Sequence, residues 1–337
     1  MDALGTKPPA KPPVRLSAHR REYERRVYRV MDYVQAHLDE ELTLEKLAAV
    51  AAFSPFHFHR IFAAIAGETL SDFIRRVRLE RAASGLAMMR DTSVLEIALR
   101  CGFSSAATFA RAFKNHFGMS ATEWRDGGAR RWSEARRPES KKSKANSNRS
   151  QAQRNQRKAS SARPGQSAAA RNREAAKPFK MPIEIRDIPP YRVAYMRHVG
   201  PYGEGGRISA LWANFERWIR TRDLVRPGLL TIGIGHDAPK IAPADKLRYD
   251  ACVVVDQNFK PDRFVNIAEL PGGKYAVAAF EGTATQISEA WEQLWAVWLP
   301  ASGYQPEDRP SLELRQDFAM PPGSRLRCEL CLPVGPL

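Results

Sequence analysis

The stretch LTLEKLAAVAAFSPFHFHRIFAAIAGETLSDFI, residues 42–74, returns in altered form as TSVLEIALRCGFSSAATFARAFKNHFGMSATEWR at 92–125. Leu44, Leu47 and Ala48 match Val94, Ile97 and Ala98. After one extra residue in the second copy, Phe58, Arg60, Phe62 and Gly67 match Phe109, Arg111, Phe113 and Gly118, and Thr69, Asp72 and Phe73 match Ser120, Glu123 and Trp124. A repeat constrains the fold more than any single motif, because both copies must adopt one supersecondary unit. Helix punctuation says which unit. Thr43 and Ser93 are N-cap candidates, and Ser93-Val-Leu-Glu96 and Ser120-Ala-Thr-Glu123 read as capping boxes. Ser54 before Pro55 places proline at the first helical position, and Gly67 and Gly118 suit helix ends. Each copy reads as helix, short turn, helix and the start of another, which is helix-turn-helix spacing.

On the helix from Pro55, Phe58, Ile61, Phe62 and Ile65 recur at i, i+3, i+4 and i+7 and form the buried stripe. Phe56, His59, Arg60 and Ala63 share another face, with His57 at its flank. His57 and His59 lie about 200° apart around the helix, so they cannot clasp one metal, and no third ligand is in reach by spacing. No metal or cofactor is expected. The corresponding face of the second copy carries Ala107, Ala110, Arg111 and Lys114, flanked by Thr108. Arginine is the commonest reader of guanine edges in the major groove, and lysine suits a phosphate. One such arginine reads as an ordinary solvated residue; two at equal places on repeated helices point to double-stranded DNA.

The chain has 337 residues and a formal charge of +16, enough length for two or three domains. The charge is not spread evenly. Residues 128–180 hold 16 Lys and Arg against 3 Asp and Glu, while 25–127 and 181–337 are nearly balanced. This stretch is almost free of large apolar residues, so it is expected to be a disordered linker with a non-specific attraction to phosphates. Residues 1–24 read as a flexible N-terminal arm without an apolar core, and nowhere do eighteen apolar residues run together. Secretion and membrane insertion are therefore not expected, and a cytoplasmic protein with reduced cysteines is. Cys328 and Cys331 are three apart in a strand-like run, on opposite faces.

Residues 25–127 resemble the AraC/XylS family of bacterial transcription regulators through LEKLAAVAAFSPFHFHRIF, IRRVRLERAASGLA and IALRCGFSSAATFARAFKNHFGMSATEWR. The resemblance implies an all-α domain of two helix-turn-helix units joined by a central helix, here near 71–88. It also implies that the second helix of each unit enters the major groove. By position, Phe56, His59 and Arg60, then Ala107, Thr108 and Arg111, become candidate readers. Ala106 and Ala107 stand where polar readers are common in the family, which leaves less for the second unit to discriminate with.

The C-terminal part is doubled as well. DIPPYRVAYMRHVG (187–200) aligns with ELPGGKYAVAAFEG (269–282), each followed by a Trp-rich helical pattern and two further strands. Strand–helix–strand–strand, twice, is an α+β architecture with helices over a mostly antiparallel sheet. Residues 181–337 resemble the GyrI-like small-molecule-binding domain of the Rob/BmrR type, through IEIRDIPPYRVAYMRHVGPYGE, LRYDACVVVD, LPGGKYAVAAFEG and PSLELR. The resemblance implies a cleft where the halves meet, with a glutamate and aromatic rings for a lipophilic cation; by position the glutamate is Glu313. The strand pattern leaves a second reading open, in which Glu313 lies on a wet face with Ser311 and Arg315. Tyr195, Trp212 and Tyr275 are further cleft candidates. Trp291, Trp295 and Trp298, at i, i+4 and i+7, read as core.

The expectation is a multidomain, sequence-specific transcriptional regulator without catalytic residues. Its tail would sense a small apolar or cationic effector, and RNA polymerase would be a further partner. A small-molecule hydrolase or a protein-binding module fused to a DNA-binding domain is the alternative.

Overall fold

The computed structural model describes residues 18–135, 181–202, 207–315 and 325–336. Residues 1–17 of the arm, 136–180 of the basic stretch and Glu204 of the PYGE motif lie outside the described residues.

The helical part contains α1 (Ala18–Ala36), α2 (Leu44–Ala51), α3 (Pro55–Ala66), α4 (Leu70–Met88), α5 (Val94–Arg100) and α6 (Ala106–Phe117). The chain continues through α7 (Ala121–Glu123) and a kink at Asp126–Gly127, where the backbone leaves helical geometry, into α8 (Ala129–Ala135). The repeat sets the packing. Phe58, Phe62 and Phe73 build one core and Phe109, Phe113 and Trp124 their counterpart. Helix α4 serves both, sending Leu70, Phe73 and Val77 to the first and Leu79, Ala83 and Leu86 to the second. Gly67 and Gly118 end α3 and α6 at φ of 68° and 71°, a region that costs other residues strain. The Ser120–Glu123 capping box is complete. At Ser93 only half of one forms: Glu96 N–H donates to Ser93, but the Glu96 carboxylate turns to Arg100 at 2.6 Å.

Two boundaries differ from the sequence reading. Helix α1 begins at Ala18, inside the stretch read as an arm, because Val27, Val30, Met31 and Val34 form a buried stripe against the first core and Glu22 braces Arg25 and Arg26. Helix α8 carries structure past residue 127, with Trp132 packed on Phe117 and Trp124.

The C-terminal part holds β1 (Ile183–Ile188), β2 (Tyr191–Val199), α9 (Arg207–Thr221), β3 (Thr231–Gly235) and β4 (Arg248–Val254). The second half repeats the plan with β5 (Asn266–Leu270), β6 (Gly273–Gly282), α10 (Ala284–Gln293), a π-helical turn (Leu294–Trp298), α11 (Leu299–Ala301), β7 (Tyr304–Pro306), β8 (Leu312–Arg315) and β9 (Leu326–Pro336). The antiparallel order β1-β6-β9-β8-β3-β4-β2-β5 reads the same from both ends once the halves are equated, so a pseudo-twofold passes between β3 and β8. Each half opens with one strand more than the sequence pattern indicated. That strand pairs with the other half: β1 with β6, β5 with β2. Flat, the sheet would hold β1 and β2 about 29 Å apart at 4.8 Å per strand. Only Pro189 and Pro190 join them, so the sheet curls. Its concave face buries Val193, Tyr195, Ile232, Cys252, Leu314 and Cys331, and α9 and α10 cover the other face.

Candidate functional site

On α3 the buried Phe58 and Phe62 fix the helix, and this turns Phe56, His57, His59 and Arg60 to solvent; Phe56 is 70% exposed. On α6, Phe109 and Phe113 do the same for Ala107, Thr108, Ala110, Arg111 and Lys114. Ser105 caps α6, accepting from Thr108 N–H and donating to the Thr108 hydroxyl at 3.0 Å, which holds Thr108 at the helix start. Helix α4, between the two units, is about 28 Å long at 1.5 Å per residue.

The second site lies on the pseudo-twofold. Gly233 of β3 pairs directly with Glu313 of β8. Following the ladder registers outward from the β2–β6 match makes these two residues counterparts. One half thus places a carboxylate where the other has no side chain. A Cβ on Gly233 would stand 2.1 Å from the Tyr249 hydroxyl and 2.7 Å from Glu313 Oε2, so the missing atom is room for the acid and its partner. Glu313 is buried and accepts from Tyr249 Oη at 2.8 Å, Arg315 Nη2 at 2.9 Å and Trp291 Nε1 at 3.3 Å. Trp212 Nε1 donates to Tyr249 Oη at 3.3 Å, and the Arg315 guanidinium lies 4.2 Å from the Trp212 ring centre. Burial, then the Glu313 carboxylate, push the Tyr249 phenol well above its ordinary range and keep it protonated.

A helix-turn-helix domain family matches residues 47–127, and the GyrI-like small molecule binding domain family matches 181–335. The Probable transcription factor PqrA of Proteus vulgaris is 39% identical over 94 residues, which cover 28% of this chain and 76% of PqrA. The chain belongs to the AraC-type helix-turn-helix transcriptional regulators. The transcriptional regulator Rob of Salmonella typhimurium is 36% identical over 93 residues, 28% of this regulator and 32% of Rob, so the match spans about a third of that relative. The DNA-binding domain of AdpA, solved with a target DNA, is 30% identical over 31% of this regulator and 94% of its own chain, with a TM-score of 0.29.

Of the cleft residues named from sequence, the regulator brings Glu313 and Trp212 together but not Tyr195 or Tyr275. Both tyrosines point to the concave face, because on β2 and β6 the residues facing the helices are Ala194 and Ala276. Tyr275 lies under Arg309 and donates to the Pro310 carbonyl at 3.3 Å. The wet-face reading of Glu313 also falls: its strand face lies beneath the helices, and Arg315 joins it there. Trp291, Trp295 and Trp298, read as core, pack against the cluster of Ala276, Leu299, Leu332 and Val334, and Trp291 also reaches the carboxylate. Tyr249 was missed, because nothing in LRYDACVVVD marks it apart from alternation with Asp250 and Cys252 on the other face. The four cysteines are buried and free; burial pushes the Cys101 thiol up to about 11.

The two modules of the regulator dock through α1, α4 and the sheet. Tyr195 donates to Asp32 of α1, Arg197 pairs with Asp32 at 2.7 Å, and Asn266 donates to the Arg25 carbonyl at 3.0 Å. Arg248, paired with Asp237 at 2.5 Å, lies 5.6 Å from the Phe73 ring centre on α4. Lys246 donates to the carbonyls of Ala66 and Gly67 at 2.8 and 3.1 Å, so the sheet module caps the C-terminal end of α3.

Proposed function

We propose that the regulator lays α3 and α6 in successive major grooves of duplex DNA, with Arg60 and Arg111 reading base edges and Lys114 holding a phosphate. Phe56, His57, His59, Ala107 and Thr108 supply the remaining contacts, and the cleft around Glu313 receives a small apolar effector. One observation carries the DNA reading: two copies of a helix present equivalent solvent-facing arginines, separated by a rigid helix comparable in length with the 34 Å or so between grooves on one DNA face. The docked arrangement leaves both faces exposed, so it is compatible with DNA. The basic stretch adds salt-sensitive attraction to phosphates. Such a protein acts in the cytoplasm, where DNA and RNA polymerase are its partners.

The role read here is regulatory and not catalytic. Glu313 is engaged by three donors, which suits recognition better than proton transfer. Coupling runs through β4. Tyr249 donates to Glu313, its neighbour Arg248 lies against Phe73, and Lys246 caps α3. A ligand that moves Tyr249 therefore acts on the end of a recognition helix, and it shifts DNA affinity only by as much as its binding differs between the two arrangements.

Fluorescence anisotropy of the full chain on a selected duplex tests the proposal. Arg60→Ala is expected to cost about 1–3 kcal/mol and relax preference at one base pair, while Lys114→Ala weakens all sequences alike. Equal affinity of the wild type for selected and scrambled duplexes removes the reading.

A further inference from the structure

Lys246 is one end of a longer contact. The loop between β3 and β4, residues 236–247, reaches both helix-turn-helix units. Lys246 donates to the Ala66 and Gly67 carbonyls at the end of α3, and Ile241 packs against the core of the second unit, which Leu86, Phe109 and Trp124 help to build. The loop is made to hold these two points at a fixed distance. His236 N–H donates to the Arg248 carbonyl at 3.0 Å, and Arg248 N–H donates to the Asp237 carboxylate at 2.7 Å, which closes its ends. Inside it, Ile241 and Ala242 N–H both donate to the Ala238 carbonyl at 2.9 Å, and Lys246 N–H donates to Pro243 at 3.0 Å. Pro239 and Pro243 fix φ at two positions. From the sheet module, Gly200 N–H holds the Leu247 carbonyl at 2.8 Å and Glu292 of α10 pairs with Lys240 at 3.2 Å.

We infer that this loop braces α3 against α6, so that Ile241 and Lys246 of the sheet module determine which spacing between two DNA boxes the regulator accepts. The inference rests on the reading that α3 and α6 occupy successive major grooves. Within the helical module the units share α4 and meet again where Gly102 lies close to the Leu38 carbonyl, which Arg78 of α4 binds at 3.0 Å. Two bodies joined by a rod and one further point still hinge about the line through those contacts; a third contact, fixed in another body, removes that freedom. One base pair inserted between the boxes moves the second by about 3.4 Å and turns it by about 35° around the duplex. A braced pair of helices must then deform the DNA or give up one box, while an unbraced pair follows the displacement.

Fluorescence anisotropy of the full chain, on a selected duplex with and without one base pair added between the boxes, tests this. Wild type is expected to lose about tenfold in affinity on the insertion. The Ile241→Ala/Lys246→Ala double variant should lose less than about threefold, and stay within about threefold of wild type on the unaltered duplex. Asp32→Asn, which loosens the modules at α1 and leaves the loop in place, should keep the wild-type penalty. Should the double variant lose its fold by circular dichroism, Lys246→Met alone takes its place and should at least halve the penalty. A wild type indifferent to the insertion, a penalty unchanged in the folded variant, or one relaxed equally by Asp32→Asn would each overturn the assignment. Failure of the DNA reading has a separate signature, no preference of wild type for the selected duplex over a scrambled one, and the brace falls with it.

Discussion

Arg197 is fully buried, with carboxylates from both modules against it: Asp250 through two bonds of 2.7 Å and Asp32 of α1 at 2.7 Å. Burial alone lowers an arginine's pKa, but Asp250 and then Asp32 more than reverse this, and the charge is secure. Removing it leaves buried Asp250 with His236, at 2.6 Å, as its remaining side-chain partner, so Arg197→Met should destabilise the chain by about 3 kcal/mol in urea titrations. Asp32→Asn leaves the Arg197–Asp250 pair whole. It should cost at most about 1 kcal/mol in unfolding while raising hydrogen exchange along α1, since the docking contact and not either core is weakened. At single positions, exposed Arg60 and Arg111 could be named from helix periodicity and the repeat, and Glu313 only through the family resemblance. Tyr249 and Trp291 could not, because their roles depend on which sheet face and which helical turn they occupy.

Helix α4 is the element whose character was hardest to foresee. Residues 70–88 have no apolar stripe of ordinary width, because cores pack on both ends and the sheet module lies against the middle. The middle holds Arg76, paired with Glu68 at 2.7 Å and Glu80 at 3.0 Å. Burial and, more weakly, Asp237 of the sheet module raise Glu80, against the pull of Arg76, to about 7 from an ordinary 4.5. The folded chain therefore holds a proton between pH 4.5 and 7 that the unfolded chain releases. Stability should fall across that window as pH rises, by about 3 kcal/mol, and level off above it. Urea midpoints at pH 5, 6, 7 and 8 measure this, and Glu80→Gln should flatten the slope. At the end of α3, Lys246 supplies a cation to exposed carbonyls, a favourable placement of about 0.3–1 kcal/mol. Lys246→Ala should therefore alter effector-dependent DNA affinity more than it alters stability, measured by anisotropy with and without ligand.

In the regulator as a whole, the two modules dock directly on one another. Contacts from α1, α3 and α4 to β2, β4 and the loop before β4 hold the modules together independently of residues 136–180. A protease site inserted there should, after cleavage, leave the two pieces co-eluting in gel filtration at low micromolar concentration. Separation on cleavage would mean that only the covalent link holds them.

Repeats and periodicity were enough to reveal two modules, twin helix-turn-helix units and a doubled α+β tail, because each rests on local spacing: 3.6 residues for a helix, two for a strand. The strand exchange between halves, the curl of the sheet, the pairing of Glu313 with Arg315 beneath the helices and the docking of α1 on Arg197 came only with the folded chain. These depend on which distant segments meet. Spacing along a chain carries the period of an element, but not the identity of the surface that buries it.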